Sequence, residues 1–413
     1  MLSLLAAIVL GAVACAGPTD TIGPSIPAAS TQATAIPTPT GEGTGPTAAQ
    51  PTPNVVASPS AGTTCVDRVL AGMSPAQRVG QLFLLGLAAD RLGPAEVRAI
   101  RDQHIGSVWF TATTVIGAQG VRAVADAVQA LADTRSTADV GFFVAANQEG
   151  GLVQALTGPG VSTIPSAVVQ GKLPLSTLQV DASRWGRELA AAGVNLDFAP
   201  VADVVPLSDR ASNQPIGVLR REYGSTPETT GSHAAAFVTG MAAANVATTA
   251  KHFPGLGRVA GNTDFSSGVV DDVTTATDPD LASFKAEIDA GVPFVMVALA
   301  TYTRIDPDHL AAFSPTVIGD MLRRDLGFSG VVMSDDLGAT EAVATMTPGE
   351  RAVDFLLAGG DLVVSKTVKA TVAMVATLKA RAAADPTFAS RVDDAARHVL
   401  AAKAVAGLLP CSG

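Results

Sequence analysis

Residues Gly330–Gly338 read GVVMSDDLG. A short, almost wholly apolar run ends abruptly in two carboxylates. Such a run predicts a strand buried on both faces, as in a parallel sheet covered by helices. The pattern recurs along the chain. LFLLG starts at Leu82, IGSVWF at Ile105, GFFVA at Gly141 and VNLDF at Val194. VATTA starts at Val246, PFVMVA at Pro293 and DLVVS at Asp361. Longer Ala-rich, helix-like stretches separate these runs. Eight such units in sequence predict a (β/α)8 TIM-type barrel, one catalytic domain of class α/β. An open doubly wound sheet is the competing arrangement, but no Gly-rich dinucleotide fingerprint follows the first run.

In a barrel of this kind the chemistry sits on loops at the C-terminal ends of the strands. Polar clusters fall at those ends here. NQEGG follows the third run, APVAD the fourth, KHFPG the fifth and SDDL the seventh. A capped turn would explain any one of them; four on one rim point to a shared site. Asp335, just past a buried strand, is placed to be the nucleophile of a retaining glycosidase, with Asp336 orienting it or capping the next helix. Paired aspartates also bind metals, but few His or Cys lie nearby, so neither a metal nor another cofactor is expected.

Composition bounds the rest. The chain has 413 residues, a formal net charge of -10, 47% hydrophobic residues and 4% aromatics. That suffices for a large core, and the lack of a Lys/Arg-rich block argues against nucleic acid as a partner. Residues 1–15 form a short apolar run ending in AVAC, which resembles a bacterial lipoprotein cleavage box with Cys15 as the lipidated residue. Plain secretion, with Cys15 discarded, is the simpler alternative. Residues 16–64 are rich in Pro, Thr and Ala and nearly free of charge, and predict a disordered tether. The folded domain is expected over 65–413, as a monomer, facing outward from a cell membrane or secreted. Cys65 and Cys411 bracket it and would close its ends as a disulfide in an oxidising compartment.

The motifs together resemble glycoside hydrolase family 3, in its single-domain β-N-acetylglucosaminidase branch, closest to exported actinobacterial lipoproteins. The matching stretches are QEGG from Gln148, GVNLDFAPVADV from Gly193, NQPIG from Asn213, REYG from Arg221 and KHFPG from Lys251. LGFSGVVMSDDL from Leu326 and AGGDLVV from Ala358 complete the series in family order. The resemblance implies a retaining exo-β-N-acetylglucosaminidase. It would remove terminal N-acetylglucosamine from peptidoglycan fragments during cell-wall turnover. Asp335 matches the family nucleophile. Lys251, His252 and Arg221 match residues that bond the sugar hydroxyls, with Tyr223 in the aromatic place after Arg221. A charged fork and an ammonium can fix a pyranose over the nucleophile. Two other readings are a sugar-binding lipoprotein with an impaired acid/base and a β-glucosidase of the same family. An aldolase using Lys251 as a Schiff base has little support from the SDDL cluster.

Three departures from the family pattern stand out. Asn147 occupies the place of the first carboxylate in the family's D-Q-E-G-G and would bind a hydroxyl as a neutral amide. Leu152 stands where an arginine usually follows EGG. The fifth loop lacks the family's Asp-x-His, in which the histidine is the acid/base; Asp264, Phe265 and Ser266 follow a longer spacer. The expectation is that Asp264 itself gives and recovers the proton, with Glu149 as the next candidate. The segment Gly261–Gly268 would be a mobile flap carrying Asp264, with Gly255, Gly257, Gly261 and Gly268 permitting the movement.

Overall fold

Each apolar run forms a strand, and the strands assemble in chain order into one ring. They are β1 (Phe83–Leu87), β2 (Ser107–Phe110), β3 (Phe143–Ala146), β4 (Leu196–Asp197), β5 (Ala247–Phe253), β6 (Phe294–Val297), β7 (Val331–Ser334) and β8 (Val363–Ser365). All neighbours pair in parallel, and β8 returns to β1 with Phe83 opposite Val363. A parallel bridge between Met333 and Leu362 closes β7 onto β8. This is the expected (β/α)8 barrel. The computed structural model describes residues 64–88 and 91–411, so the expected leader and nearly all of the tether lie outside the described residues.

The strands alternate because successive side chains point to opposite faces. Leu84, Phe143, Phe294 and Met333 point inward and fill the barrel. Phe83, Leu85, Val144 and Val332 point outward beneath the helices. Phe143 and Phe294 meet edge to face inside the ring, 5.3 Å between centroids. Burying each such side chain contributes roughly 1.5–3 kcal/mol. The first described helix, Cys65–Gly72, starts in a capping box of Thr64 and Asp67. Cys65 is disulfide-bonded to Cys411, with 6.1 Å between Cα atoms, so the expected pairing is formed.

Most strands are a residue or two shorter than their apolar runs, and two departures shape the rim. VNLDF yields only Leu196–Asp197; just before it Asn195, whose backbone bonds Val144 O and Ala247 N, adds its side chain to the pairing with β3. Its Oδ1 accepts from Val144 N at 2.8 Å and its Nδ2 donates to Phe142 O at 3.0 Å. VATTA instead runs on through Phe253, so Lys251 and His252 stand on the end of β5 rather than in the loop after it. Short hairpins unforeseen in the sequence decorate the rim. Gln148–Gly150 pairs with Val153–Gln154, and Val270–Asp271, Thr301–Tyr302 and Asp306–Leu310 form a small sheet.

The bottom of the barrel, opposite the polar rim, is stoppered by Lys403 from the helix Pro386–Val405. Its Nζ donates to Gln81 Oε1 and Gly106 O, each at 2.7 Å, and lies 5.9 Å from the Phe143 ring centroid. No carboxylate pairs with it among the described residues, and burial pulls its pKa down to about 7. The folded state therefore holds its lysine proton less tightly than the unfolded chain, where the value is near 10.4. Between those values the unfolded state binds more protons, so stability rises with pH. In urea titrations from about pH 7.5 to 9.5, the wild-type unfolding free energy should climb relative to that of Lys403→Met. The slope is up to about 1.4 kcal/mol per pH unit. Parallel curves for the two proteins would contradict this account.

Candidate active site

A pocket of about 480 Å³ opens at the C-terminal ends of the strands. Its floor is Trp109, Phe198, Met296 and Val364, the top of the barrel's inner layer. Its walls bring together every site residue expected from sequence: Asn147, Arg221, Lys251, His252, Asp264 and Asp335.

The hub of one wall is Glu149, buried and outside the pocket lining itself. Its Oε2 accepts from Arg221 Nε at 2.8 Å and its Oε1 from Arg221 Nη2 at 2.7 Å, a two-pronged pair. Lys251 Nζ reaches Oε1 at 2.5 Å and also donates to Asn147 Oδ1 at 2.8 Å. Burial pushes the Glu149 carboxyl up, but Arg221 and Lys251 outweigh it and hold it at about 2. Glu149 is therefore ionised and spent on its cations, which removes it as a proton donor. Burial lowers Lys251, against the pull of Glu149. Arg221 also donates through Nη1 to Pro215 O at 2.8 Å. That leaves N–H groups on Arg221 for a ligand. Tyr223 is buried and stacks on His233, so its ring is core rather than pocket wall.

His252 is set by Asp203, a residue of the APVAD cluster whose role the sequence reading missed. Asp203 Oδ2 lies 2.8 Å from His252 Nδ1, while Oδ1 accepts from His252 N at 3.2 Å and Leu256 N at 2.7 Å. A carboxylate only accepts, so Nδ1 carries the proton and Nε2 is left for the pocket. Asp197, at the end of β4, is the other unforeseen carboxyl. It takes one bond, from Gln148 N at 2.9 Å, and its second oxygen has no partner. Burial raises its pKa to about 7.

Asp335 is half-buried at the end of β7, its N–H on Val297 O at 3.2 Å and its Oδ1 accepting from Asp336 N at 2.8 Å. Asp336 turns the other way. Its Oδ1 accepts from Gly338 N at 2.7 Å and Lys366 N at 2.8 Å, tying the β7 loop to the end of β8. Burial lifts it to about 6. Asp264 stands at the mouth, its side chain still open to solvent. Desolvation against the pocket and then the Asp335 charge hold its carboxyl above the ordinary value, against Arg221, His252 and Lys366.

The histidines narrow the choice of proton donor further. His104 bonds Ser136 O, His233 bonds Thr229 O and Leu173 O, His309 bonds Asp306 and His398 bonds Asp361. Among the described residues only His252 lines the pocket. The loop carrying Asp264 is also better anchored than a free flap. Ala342 N donates to Thr263 O at 3.1 Å and Glu341 N to Asp264 O at 3.3 Å. Arg258 pairs with Asp278 and Asp280 at 2.6 and 2.7 Å. The glycines divide in kind. Gly257 is a contact residue, since an added Cβ would lie 1.7 Å from Val204 O. Gly255 and Gly268 have positive φ, 133° and 66°, with open space around them. Asn213 staples this loop to its neighbour, donating to Leu256 O and Val259 O at 2.7 Å each.

A family model, "Glycosyl hydrolase family 3 N terminal domain", matches residues 76–402. A β-hexosaminidase of Stenotrophomonas maltophilia strain R551-3 is 32% identical over 298 residues, 68% of this chain and 82% of that protein. One from Xylella fastidiosa strain M12 is 34% identical, over 62% of this chain and 75% of its own. Among solved structures, a β-N-acetylhexosaminidase from Beutenbergia cavernae is 49% identical with a TM-score of 0.79, covering 80% of this chain and 98% of that one. A family 3 β-N-acetylglucosaminidase from Paenibacillus sp. FPU-7 is 27% identical with a TM-score of 0.73, over 81% and 63% of the two chains.

The buried cluster around Glu149 makes a stability prediction. Glu149→Gln strands two buried cations, so unfolding in urea should become easier by about 3–5 kcal/mol. Asn147→Ala removes a neutral acceptor while Lys251 keeps its carboxylate, and should cost only about 1 kcal/mol. Equal losses in the two variants would deny Glu149 its central place.

Proposed function

The chain belongs to glycosyl hydrolase family 3, and from that premise we propose that its pocket carries out a two-step retaining hydrolysis with Asp335 and Asp264 as the reacting carboxyls. The enzyme is a glycoside hydrolase acting as a β-N-acetylhexosaminidase. The observation that carries the proposed roles is that Asp335 and Asp264 line one pocket, where desolvation and then the Asp335 charge raise Asp264.

Arg221, Lys251, His252 and Asn147 hold the hydroxyls of the terminal sugar through the donors and acceptors they have left. Asp335 attacks the anomeric carbon, forming a C1–O ester bond as the bond to the leaving-group oxygen breaks. Asp264 gives its proton to that oxygen. Water then attacks C1 as the C1–O bond to Asp335 breaks and returns the carboxylate, Asp264 takes the water's proton, and the sugar leaves with retained configuration. Asp336 contributes by fixing the backbone around the nucleophile rather than by reacting, since its inner oxygen is occupied by two backbone N–H groups.

The proposed natural substrate is a peptidoglycan fragment with a terminal N-acetylglucosamine, cleaved outside the cell by a protein held at Cys15 or released. The apolar leader and the Pro/Thr-rich stretch before Thr64 support that location.

Asp264→Asn separates the two carboxyls experimentally. On an N-acetylglucosaminyl disaccharide its kcat/KM should fall by about 10²–10⁴. A dinitrophenyl glycoside, whose leaving group needs no proton, should still glycosylate Asp335, and azide should restore turnover as the β-glycosyl azide. The wild-type kcat/KM should decline on the alkaline side, as pH passes the raised Asp264 value and the donor loses its proton. Asp264→Asn should lack that limb. Full turnover of the disaccharide by Asp264→Asn would overturn the assignment, and an inverted product anomer would overturn the mechanism.

A further inference from the structure

Three of the four basic side chains lining the pocket are already engaged. Arg221 and Lys251 share Glu149, and His252 is held by Asp203. The fourth, Lys366, is not. It follows β8, its side chain is exposed at the pocket wall, and no ion pair or hydrogen bond engages its Nζ among the described residues. Its backbone, in contrast, is rigidly placed. Lys366 N donates to Asp336 Oδ1 at 2.8 Å. An added Cβ on Gly86 would lie 2.5 Å from both Lys366 O and Thr111 Cγ2, so the bare glycine lets the ends of β8 and β2 close in on β1. A flexible ammonium thus rises from a fixed base.

Its position in the ring gives it a direction. The groups free to hold a terminal sugar come from β3, β5 and the loop bearing Arg221. Asp335 comes from β7. Lys366, at the end of β8, lies across the ring from β4 and three strands from both β3 and β5, while Thr111, after β2, borders Asn147 and leads from Lys366 toward the sugar. Beside Thr111 a smaller cavity of about 150 Å³ continues the pocket, sharing Thr111 and Asn147 with it and walled by exposed Leu152. This side has room for a second ring. A leaving group with an acidic substituent would otherwise be repelled by Asp264 and Asp335, and Lys366 is the unspent charge that can meet it.

We propose that Lys366 is a specificity residue that recognises a carboxylate on the leaving-group sugar, favouring an acidic leaving sugar, such as one bearing a lactyl ether, over a neutral one. The inference rests on the glycosidase reading above and deepens it. The test compares kcat/KM for two β-1,4 disaccharides, N-acetylglucosaminyl-N-acetylmuramic acid and N,N′-diacetylchitobiose. Wild type should prefer the acidic substrate, and the preference should shrink with added salt. Lys366→Met should lower the ratio of the two kcat/KM values by about tenfold. Lys366→Arg should keep most of it, and Lys366→Glu should push it below the Lys366→Met value. A ratio is insensitive to the amount of folded enzyme, so a poorly folding variant still reports. An unchanged ratio in Lys366→Met would overturn the proposal, as would a uniform loss on both substrates, which would assign Lys366 to tuning Asp264. Failure of the wild type to cleave either disaccharide would overturn the glycosidase reading itself, and this proposal with it.

Discussion

Two cations meet on one buried carboxylate, and much of the active face is organised around that meeting. Glu149 could not be buried alone; nor could Arg221 or Lys251. Together they satisfy one another, and in doing so they join three separated parts of the chain: the turn after β3, the segment after β4, and the end of β5. A buried ion cluster of this kind is weak evidence for net stability, because desolvation opposes the Coulomb attraction. Its value here is positional. Glu149 sits behind the pocket wall and aims the donors into the pocket, so a ligand meets groups that are already oriented.

The same logic operates with a different outcome at the other end of the barrel. Lys403 is as deeply buried as Lys251, but its acceptors are a side-chain amide and a backbone carbonyl. Without a carboxylate to hold its charge, its proton affinity collapses toward neutrality. Lys251, with Glu149 at contact distance, is also lowered by burial but retains a charged partner. The contrast accounts for two lysines of similar burial serving different ends: one closes the bottom of the ring, the other presents an N–H to its open face.

The barrel was legible because fully buried parallel strands leave an unmistakable mark, short apolar runs with polar residues at one end. The site was legible to the extent that its residues lie at those ends, as Asn147, Lys251, His252 and Asp335 do. What escaped the sequence reading depends on side chains acting on backbone. Asn195 adds side-chain bonds to the β3 backbone beside β4, which no apolar periodicity reveals. Gly257 reads as a hinge until the carbonyl of Val204 is seen against it. Asp203 and Asp197 were visible as letters, but their partners are far along the chain. Lys366 carries no local signal at all, since its significance lies in an Nζ with no hydrogen bond or ion pair among the described residues, while the other basic side chains of the pocket each have one.

The missing histidine can be reasoned through from what remains. A retaining hydrolase needs a group that can hold a proton near neutral pH, reach the glycosidic oxygen, and later receive a proton from water. The remote histidines are committed to carbonyls and aspartates elsewhere. His252 lines the pocket, but it stands on β5 beside Lys251, and Asp203 fixes its ring. Glu149 is ionised by two cations, and Asp336 is turned into its own backbone. Among the described residues Asp264 alone combines an open side chain and a place at the pocket mouth with desolvation and a neighbouring carboxylate that favour its protonated form. Desolvation raises Asp264 first, and the added repulsion from Asp335 would end once Asp335 becomes a neutral ester. Asp264 should then lose its proton more readily, at the stage where the second step requires a base. On the proposed mechanism the two carboxylates would alternate: desolvation and then the Asp335 charge favour the proton on Asp264, and loss of that charge would ease its release for the next half of the reaction.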